Sequence, residues 1–261
     1  MTKAREVPTV PLAGDVRLPL VGFGTWQLQG NRAYQAVRDA LDLGYRHVDT
    51  ATMYGNEAEV GRAVRDSGLP RDEVFLTTKL PPSRAGRERQ TLDASLRALG
   101  ADFVDLWLIH WPPGGAGVRT WRAFIAARDA GLTRTIGVSN YSVRQLDDLI
   151  RETGQPPAAN QVPWSPAEHD PRTLAAHGER GVVLEGYSPL KGTNLRDPVL
   201  VEIAARYGVT VAQVVLRWHV QHGIPVIPKS AHRERIAENI DLFGFSLSDE
   251  DMARIHTLGG R

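Results

Sequence analysis

The sequence predicts one α/β domain, residues 1–261, folded as a closed (β/α)8 TIM barrel with an N-terminal β-hairpin plug and two extra helices. Three observations carry the prediction. Eight short apolar runs follow one another from about Val21 onward: VGFGTW, HVDTA, VFLTTK, FVDLWLIH, TIGVSN, AANQV, VVLEGYS and IPVIPKS. Between them lie segments with apolar residues near i, i+3, i+4 and i+7, the period of amphipathic helices. The runs are nearly continuous in apolar character instead of alternating, as parallel strands are when helices cover one face and a packed interior the other. At 261 residues, 42% hydrophobic and 23% charged, the chain also has the length of a single barrel of about 250 residues.

The elements follow in order. VPTVPLAGDVRLPLV forms two extended runs around Ala13-Gly14-Asp15, a hairpin placed to close the N-terminal end of the barrel. The first five strands are followed by AYQAVRDALDL, EAEVGRAVRDS, RQTLDASLRAL, TWRAFIAARDA and SVRQLDDLIRE, the first helices of the outer ring. Asn56 with Glu59, Ser142 with Gln145 and Thr210 with Gln213 have the three-residue spacing of capping boxes. Gly44, Gly131 and Gly181 stand where left-handed C-caps end a helix. The two extra helices are DPVLVEIAARYG, ahead of TVAQVVLRWHVQHG, and LSDEDMARIHTL near the end of the chain.

Composition narrows the function. Lys plus Arg number 31 and Asp plus Glu 30, so no overall field draws the protein to nucleic acid or an anionic membrane. There is no cysteine, which excludes disulfides, thiolate nucleophiles and Cys-ligated metals. No metal is expected. MTKAREVPTV lacks the apolar run of a signal peptide, and no stretch approaches the ~18 apolar residues of a spanning helix. A cytoplasmic enzyme is expected, and a monomer, since no exposed heptad or apolar run argues for assembly.

Active sites of βα barrels sit at the C-terminal ends of the strands. Asp49 ends the second strand, Tyr54 lies in the loop after it, Lys79 ends the third, and His110 follows the fourth. A tyrosine can protonate the alkoxide that develops when a carbonyl is reduced, but with a pKa near ~10 it needs help near neutrality. A lysine ammonium favours the phenolate, and Asp49 keeps Lys79 charged. His110 orients the carbonyl or shares the proton. No side chain supplies a hydride. Each residue taken singly has a structural reading: a strand-end Asp caps turns, an interior Lys forms ion pairs, and a lone His fills a core. A strand-end lysine also admits a Schiff-base lyase, which leaves Tyr54 and His110 without a role.

These residues and the segments around them resemble the aldo-keto reductase family: GYRHVDTATMYGNE (44–57), LTTKL (76–80), LIHWP (108–112), IGVSNY (136–141), NQV (160–162), GYSPL (186–190) and IPKSAHRERIAEN (227–239). The likeness runs over nearly the whole chain. It implies a barrel that binds NADPH in an extended pose without a GxGxxG fingerprint, and none is present. It also implies that Tyr54 is the general acid, Lys79 and Asp49 its tuning pair, and His110 the residue orienting a small-molecule carbonyl substrate. Ser139, Asn140 and Gln161 match positions that hold the nicotinamide carboxamide, and Tyr187 the ring that stacks on it. Thr25, Ser188 and Leu190 complete that end of the cofactor site. Lys229, Ser230 and Arg235 match contacts to the adenosine 2′-phosphate, and Glu238 and Asn239 those to adenine. Arg and Lys suit a phosphate dianion better than a ribose hydroxyl, which favours NADPH over NADH. Trp26 and Trp111 match walls of the substrate pocket, while Trp107, Trp121, Trp164 and Trp218 are expected to fill space.

The chain also departs from the family pattern. The usual NQxExHP appears as NQVPWSP, with Pro163 and Ser165 in place of Glu and His. Lys191 replaces the glycine after YSPL, and Gln27 and Asn194 stand where some members latch a loop with charges. A salt-bridged strap is therefore not expected, which implies fast cofactor exchange with Lys191 as an alternative phosphate contact. The loop after His110 is short and the chain ends at LGGR, so an open mouth with weak selectivity is expected. The leading expectation is an NADPH-dependent reductase of aldehydes and ketones, similar to diketogluconate and methylglyoxal reductases. A non-catalytic NADPH-binding sensor and a Lys79 lyase stand as alternatives.

Overall fold

The computed structural model describes residues 7–258. Residues 1–6 and 259–261, which carry part of the readings made on MTKAREVPTV and LGGR, lie outside them. Strands β1 (Thr9–Pro11) and β2 (Arg17–Pro19) pair antiparallel around Gly14, whose φ of 74° needs a glycine. Seven strands then form one parallel sheet in sequence order: β3 (Phe23–Gly24), β4 (His47–Asp49), β5 (Phe75–Leu80), β6 (Val104–Ile109), β7 (Thr133–Ser139), β8 (Ala159–Pro163) and β9 (Val183–Tyr187).

The eighth strand expected from IPVIPKS is reduced to a bridge. Val226 pairs in parallel with both Val21 and Gly186, and its carbonyl accepts from the Gly22 amide at 2.9 Å, so the two edges are joined. Pro225 and Pro228 lack the amide hydrogens a regular ladder needs, which is why the seam stays short. The fold is the expected barrel with an irregular eighth stave.

Among the described residues eight helices form the outer ring: α1 (Gly30–Asp42), α2 (Glu57–Asp66), α3 (Glu88–Leu99), α4 (Val118–Asp129), α5 (Val143–Thr153), α6 (Pro171–Glu179), α8 (Val211–Gln221) and α9 (Arg233–Ile240), while α7 (Pro198–Tyr207) and α10 (Asp249–His256) are the two extra helices. Among the described residues no single helix is long and apolar enough to cross a membrane. Capping boxes close the starts of α5 (Ser142, Gln145) and α8 (Thr210, Gln213), but Asn56 does not cap α2. Gly44, Gly131 and Gly181 take the left-handed backbone expected of them, with φ of 100°, 75° and 66°.

The period of two along each strand sorts side chains between helix layer and barrel interior. On β6, Trp107 faces outward and stacks on Phe124 of α4 at 3.6 Å, while Leu106 and Leu108 join Leu12 and Leu18 of the hairpin, Phe75 and Ala159 in a separate apolar cluster that fills the lower barrel. Trp107, Trp121, Trp164 and Trp218 are all buried, as expected of space-filling indoles.

Candidate active site

The upper layer of the same interior is polar. Asp49 on β4, Lys79 on β5, Gln161 on β8 and Glu185 on β9 are each at most 2% exposed. Lys79 Nζ donates to Asp49 Oδ1 at 2.5 Å and to the Thr50 carbonyl at 3.0 Å. Burial alone would drive the Lys79 ammonium toward neutrality, but the Asp49 carboxylate overrides it and its pKa rises. Lys79 is therefore held as a cation, the wrong state for a Schiff-base nucleophile.

Tyr54 sits above this pair on a single 3₁₀ turn, Thr52–Tyr54, that follows β4. Gly55 closes the turn at φ 67°, and Gln29 Nε2 donates to the Tyr54 carbonyl at 2.7 Å. Asn56 explains its missing cap: its side chain accepts from Thr50 Oγ1 and donates to the carbonyls of Thr25 and Leu28, tying the loops after β3 and β4 together beneath Tyr54. Lys79 Nζ lies 5.2 Å from the Tyr54 ring centroid, and the His110 ring 5.7 Å from it, edge to face.

Burial is the largest influence on the Tyr54 phenol and pushes its pKa above the ordinary value, while the Lys79 charge pulls the other way. The expectation that Lys79 brings the phenol toward neutrality is corrected accordingly. In this cleft desolvation wins, and Tyr54 keeps its proton, which is the state a proton donor needs. His110 is lowered to about 3, first by burial and then by Lys79, so its imidazole is neutral at any working pH. It stacks on Trp111 at 4.1 Å, and its backbone carbonyl accepts from Asn140 Nδ2 at 3.0 Å.

A cleft of about 660 Å³ opens over this layer. Asp49, Tyr54 and His110 line its floor, and Thr25, Trp26, Trp111, Ser139, Asn140, Gln161, Tyr187, Ser188, Leu190 and Lys229 its walls. Of the sequence-predicted residues, Lys79 lies beneath the floor, and Ser230, Arg235, Glu238 and Asn239 lie outside the cleft, continuing from Lys229 into α9. Tyr187 Oη donates to Asn140 Oδ1 at 2.8 Å, Ser139 Oγ to the Gln161 carbonyl at 2.8 Å, and Gln161 Nε2 to Asp49 Oδ2 at 2.9 Å. Trp26 and Trp111 are 46% and 40% exposed at the mouth, with Lys191 Nζ 5.7 Å from the Trp26 ring.

Backbone strain marks the same place. Among the described residues Gln27, Asn140 and Ser188 are the non-glycine residues with left-handed backbone, at φ of 63°, 62° and 54°, and all three line the cleft. Such conformations persist where the surroundings over-determine them, commonly at functional sites. Pro163 stands at the end of β8, and Ser165 donates to Glu168 at 2.9 Å, away from Gln161.

Sequence reasoning missed two groups. Glu185 stands two residues before Tyr187 on β9, so strand periodicity places both on one face, and that period is the signal by which the sequence could have shown it. His169, His222 and His256 meet on the flank with ring centroids 4.6 to 5.5 Å apart, His222 Nε2 lying 2.8 Å from His256 Nε2. His169 comes from the loop after β8, His222 from the C-cap of α8 and His256 from the end of α10, and no spacing along the chain could reveal that all three meet.

The family model described as the aldo/keto reductase family matches residues 20–259. An aldo-keto reductase of Mycolicibacterium smegmatis (strain ATCC 700084 / mc(2)155) is 45% identical over 256 residues, covering 96% of this chain and 93% of that protein. The 2,5-diketo-D-gluconic acid reductase B of Corynebacterium sp. (strain SHS752001) is 45% identical over 259 residues, covering 97% and 94%. The crystal structure of an aldo/keto reductase from Brucella melitensis superposes with a TM-score of 0.93 at 44% identity, covering 97% of this chain and 99% of that one. A Bombyx mori aldo-keto reductase solved in complex with NADP superposes with a TM-score of 0.92 at 32% identity, covering 98% and 94%.

Proposed function

The chain belongs to the aldo/keto reductase family, and from that premise we propose that it reduces aldehydes and ketones to alcohols with NADPH, using Tyr54 as the general acid. The observation that carries the reading is the buried Lys79–Asp49 pair directly beneath Tyr54, beside a neutral His110, on the floor of one large cleft. Bound NADPH supplies the hydride. The cleft's chemistry fits it: an amide, a hydroxyl and a phenol converge around Gln161, Ser139 and Tyr187, and an exposed lysine, Lys229, lines the same cleft. Ser139, Asn140 and Gln161 hold the carboxamide in this reading, Tyr187 stacks on the nicotinamide ring, and Thr25, Ser188 and Leu190 flank it. Lys229, Ser230 and Arg235 take the 2′-phosphate, and Glu238 and Asn239 the adenine.

The chain's own part in the chemistry is proton handling. The substrate carbonyl oxygen accepts hydrogen bonds from Tyr54 and from an N–H of His110, which polarises the carbonyl. As negative charge develops on that oxygen, the Tyr54 proton moves to it, and the phenolate left behind faces the Lys79 ammonium. Asp49 keeps that ammonium charged through the step. Trp26 and Trp111 wall the substrate side. The name of the Corynebacterium relative makes a sugar-acid ketone such as 2,5-diketo-D-gluconate a candidate substrate alongside small aldehydes.

The test is to mix the purified protein with NADPH or NADH and a panel containing methylglyoxal, an aromatic aldehyde and diketogluconate. The expected outcome is NADPH consumption in preference to NADH. Binding of NADPH without consumption of it by any carbonyl points instead to a sensor, and a borohydride-reducible adduct at Lys79 to a lyase.

A further inference from the structure

Gln161 has a constrained amide. Its Nε2 lies 2.9 Å from Asp49 Oδ2 and 2.9 Å from Glu185 Oε2. A primary amide carries two donor hydrogens on nitrogen and only acceptor capacity on oxygen. Two flanking carboxyl oxygens therefore decide which way the amide faces: nitrogen inward, with both hydrogens used, and Oε1 outward. The reverse orientation would set the amide oxygen against two acceptor oxygens. Because Gln161 lines the cleft, what it offers a ligand is an acceptor.

Glu185 is the less obvious half of this arrangement. It is fully buried on β9, and its other oxygen, Oε1, has no hydrogen-bond partner among the described residues. Burial first, and then the neighbouring Asp49 charge, push its carboxyl up to about 8, and its Oε2 accepts from Gln161 Nε2. Asp49 alone would leave one of the two amide hydrogens without a partner. Asp49 also serves Lys79 through Oδ1, so the two carboxyls divide the work, Asp49 setting the charge of the lysine and Glu185 completing the lock on the amide.

Resting on the proposed role of Gln161 toward the nicotinamide carboxamide, we infer that Glu185 is a positioning residue which, with Asp49, fixes the Gln161 amide so that its oxygen accepts a hydrogen bond from the carboxamide NH2 of the cofactor. Glu185 touches neither substrate nor cofactor. Its effect is on which carboxamide-like group the cleft accepts, and so on how well the cofactor ring is held.

The experiment compares binding of three probes: NADPH, its 3-acetylpyridine analogue, in which a methyl replaces the carboxamide NH2, and 2′,5′-ADP, which has no nicotinamide. The wild type is expected to prefer NADPH over the analogue by roughly five- to tenfold, the equivalent of one hydrogen bond. Glu185→Met, of similar length and apolar, should lose that preference while binding 2′,5′-ADP as the wild type does. Glu185→Gln, which keeps an acceptor toward Gln161, should retain the preference. Undiminished preference in Glu185→Met overturns the inference and leaves the proposed function standing, whereas a wild type that binds neither NADPH nor 2′,5′-ADP overturns the proposed function itself. If the Met variant does not fold, the Gln161 side-chain amide hydrogens in the wild type decide by NMR. Slow solvent exchange of both supports the lock, and exchange at the rate of a free amide contradicts it.

Discussion

Lower and upper halves of the barrel interior are built on the same strands and differ in kind. On β5 Phe75 lies below Lys79, on β6 Leu106 and Leu108 lie below His110, and on β8 Ala159 lies below Gln161. The lower set packs with Leu12 and Leu18 of the hairpin as a closed apolar plug. The upper set is an ion pair, an amide and a second carboxyl, all buried and nearly all hydrogen-bonded. Two to four residues along one strand therefore separate packing from chemistry, and the two layers should respond to substitution in opposite ways.

The sharpest break falls in the upper layer. Tyr54→Phe removes one hydroxyl from the cleft, and turnover should fall ~10²–10⁴-fold, the usual contribution of a general acid, with NADPH affinity and the urea midpoint unchanged. Wild-type turnover in that variant removes Tyr54 from the mechanism. In the lower layer Leu108→Ala should do the reverse, losing about 2–5 kcal/mol of stability in urea with the KM for NADPH unaltered. Leu108 Cδ2 lies 2.8 Å from where a Cβ on Gly137 would stand, so the strands are already in close contact and have little room to collapse around the cavity. A rise in KM there would show that the layers are not separate.

A smaller effect is expected further out. Lys229→Ala should weaken NADPH binding by roughly tenfold, the scale of one charge-assisted contact, with NADH binding little changed. Equal losses for both cofactors would move Lys229 away from the 2′-phosphate.

Acid should separate stability from chemistry in a third way. Burial lowers the pKa of His169, His222 and His256, that of His222 to about 4. These groups are neutral when folded and take up protons when unfolded, so the stability they contribute is complete above the ordinary ~6.5 and is lost as pH falls toward 4. Asp170 partly offsets this at His169. His110, lowered to about 3, stays neutral over that window. The urea midpoint should therefore drop between pH 6.5 and 4 before protonation of His110 affects turnover, and a midpoint constant over that window would contradict the assignment.

Much of this layout was legible in sequence because period two and period 3.6 are local properties. The hairpin, the helix order, the strand-end positions of Asp49, Lys79 and His110, and the boxes at Ser142 and Thr210 follow from spacing alone. What failed depended on contacts between distant segments. Asn56 has the spacing of a cap, but three loop groups claim its side chain. Pro225 and Pro228 interrupt the eighth strand at the point where closure needs only Val226. The acidity of Tyr54 turned on desolvation, which spacing does not encode, and the histidine trio exists only once α8 and α10 meet the loop after β8.

Hydride delivery over Tyr54 is the central claim, and isotope transfer tests it most directly. Purified wild-type protein is mixed in single turnover with methylglyoxal and NADPH carrying deuterium at both C4 positions, and the alcohol is weighed by mass spectrometry. One deuterium per alcohol, formed in step with NADPH loss and suppressed in Tyr54→Phe, is the expected result. An alcohol without deuterium, or NADPH left intact beside unreacted carbonyl across the panel, would contradict the account.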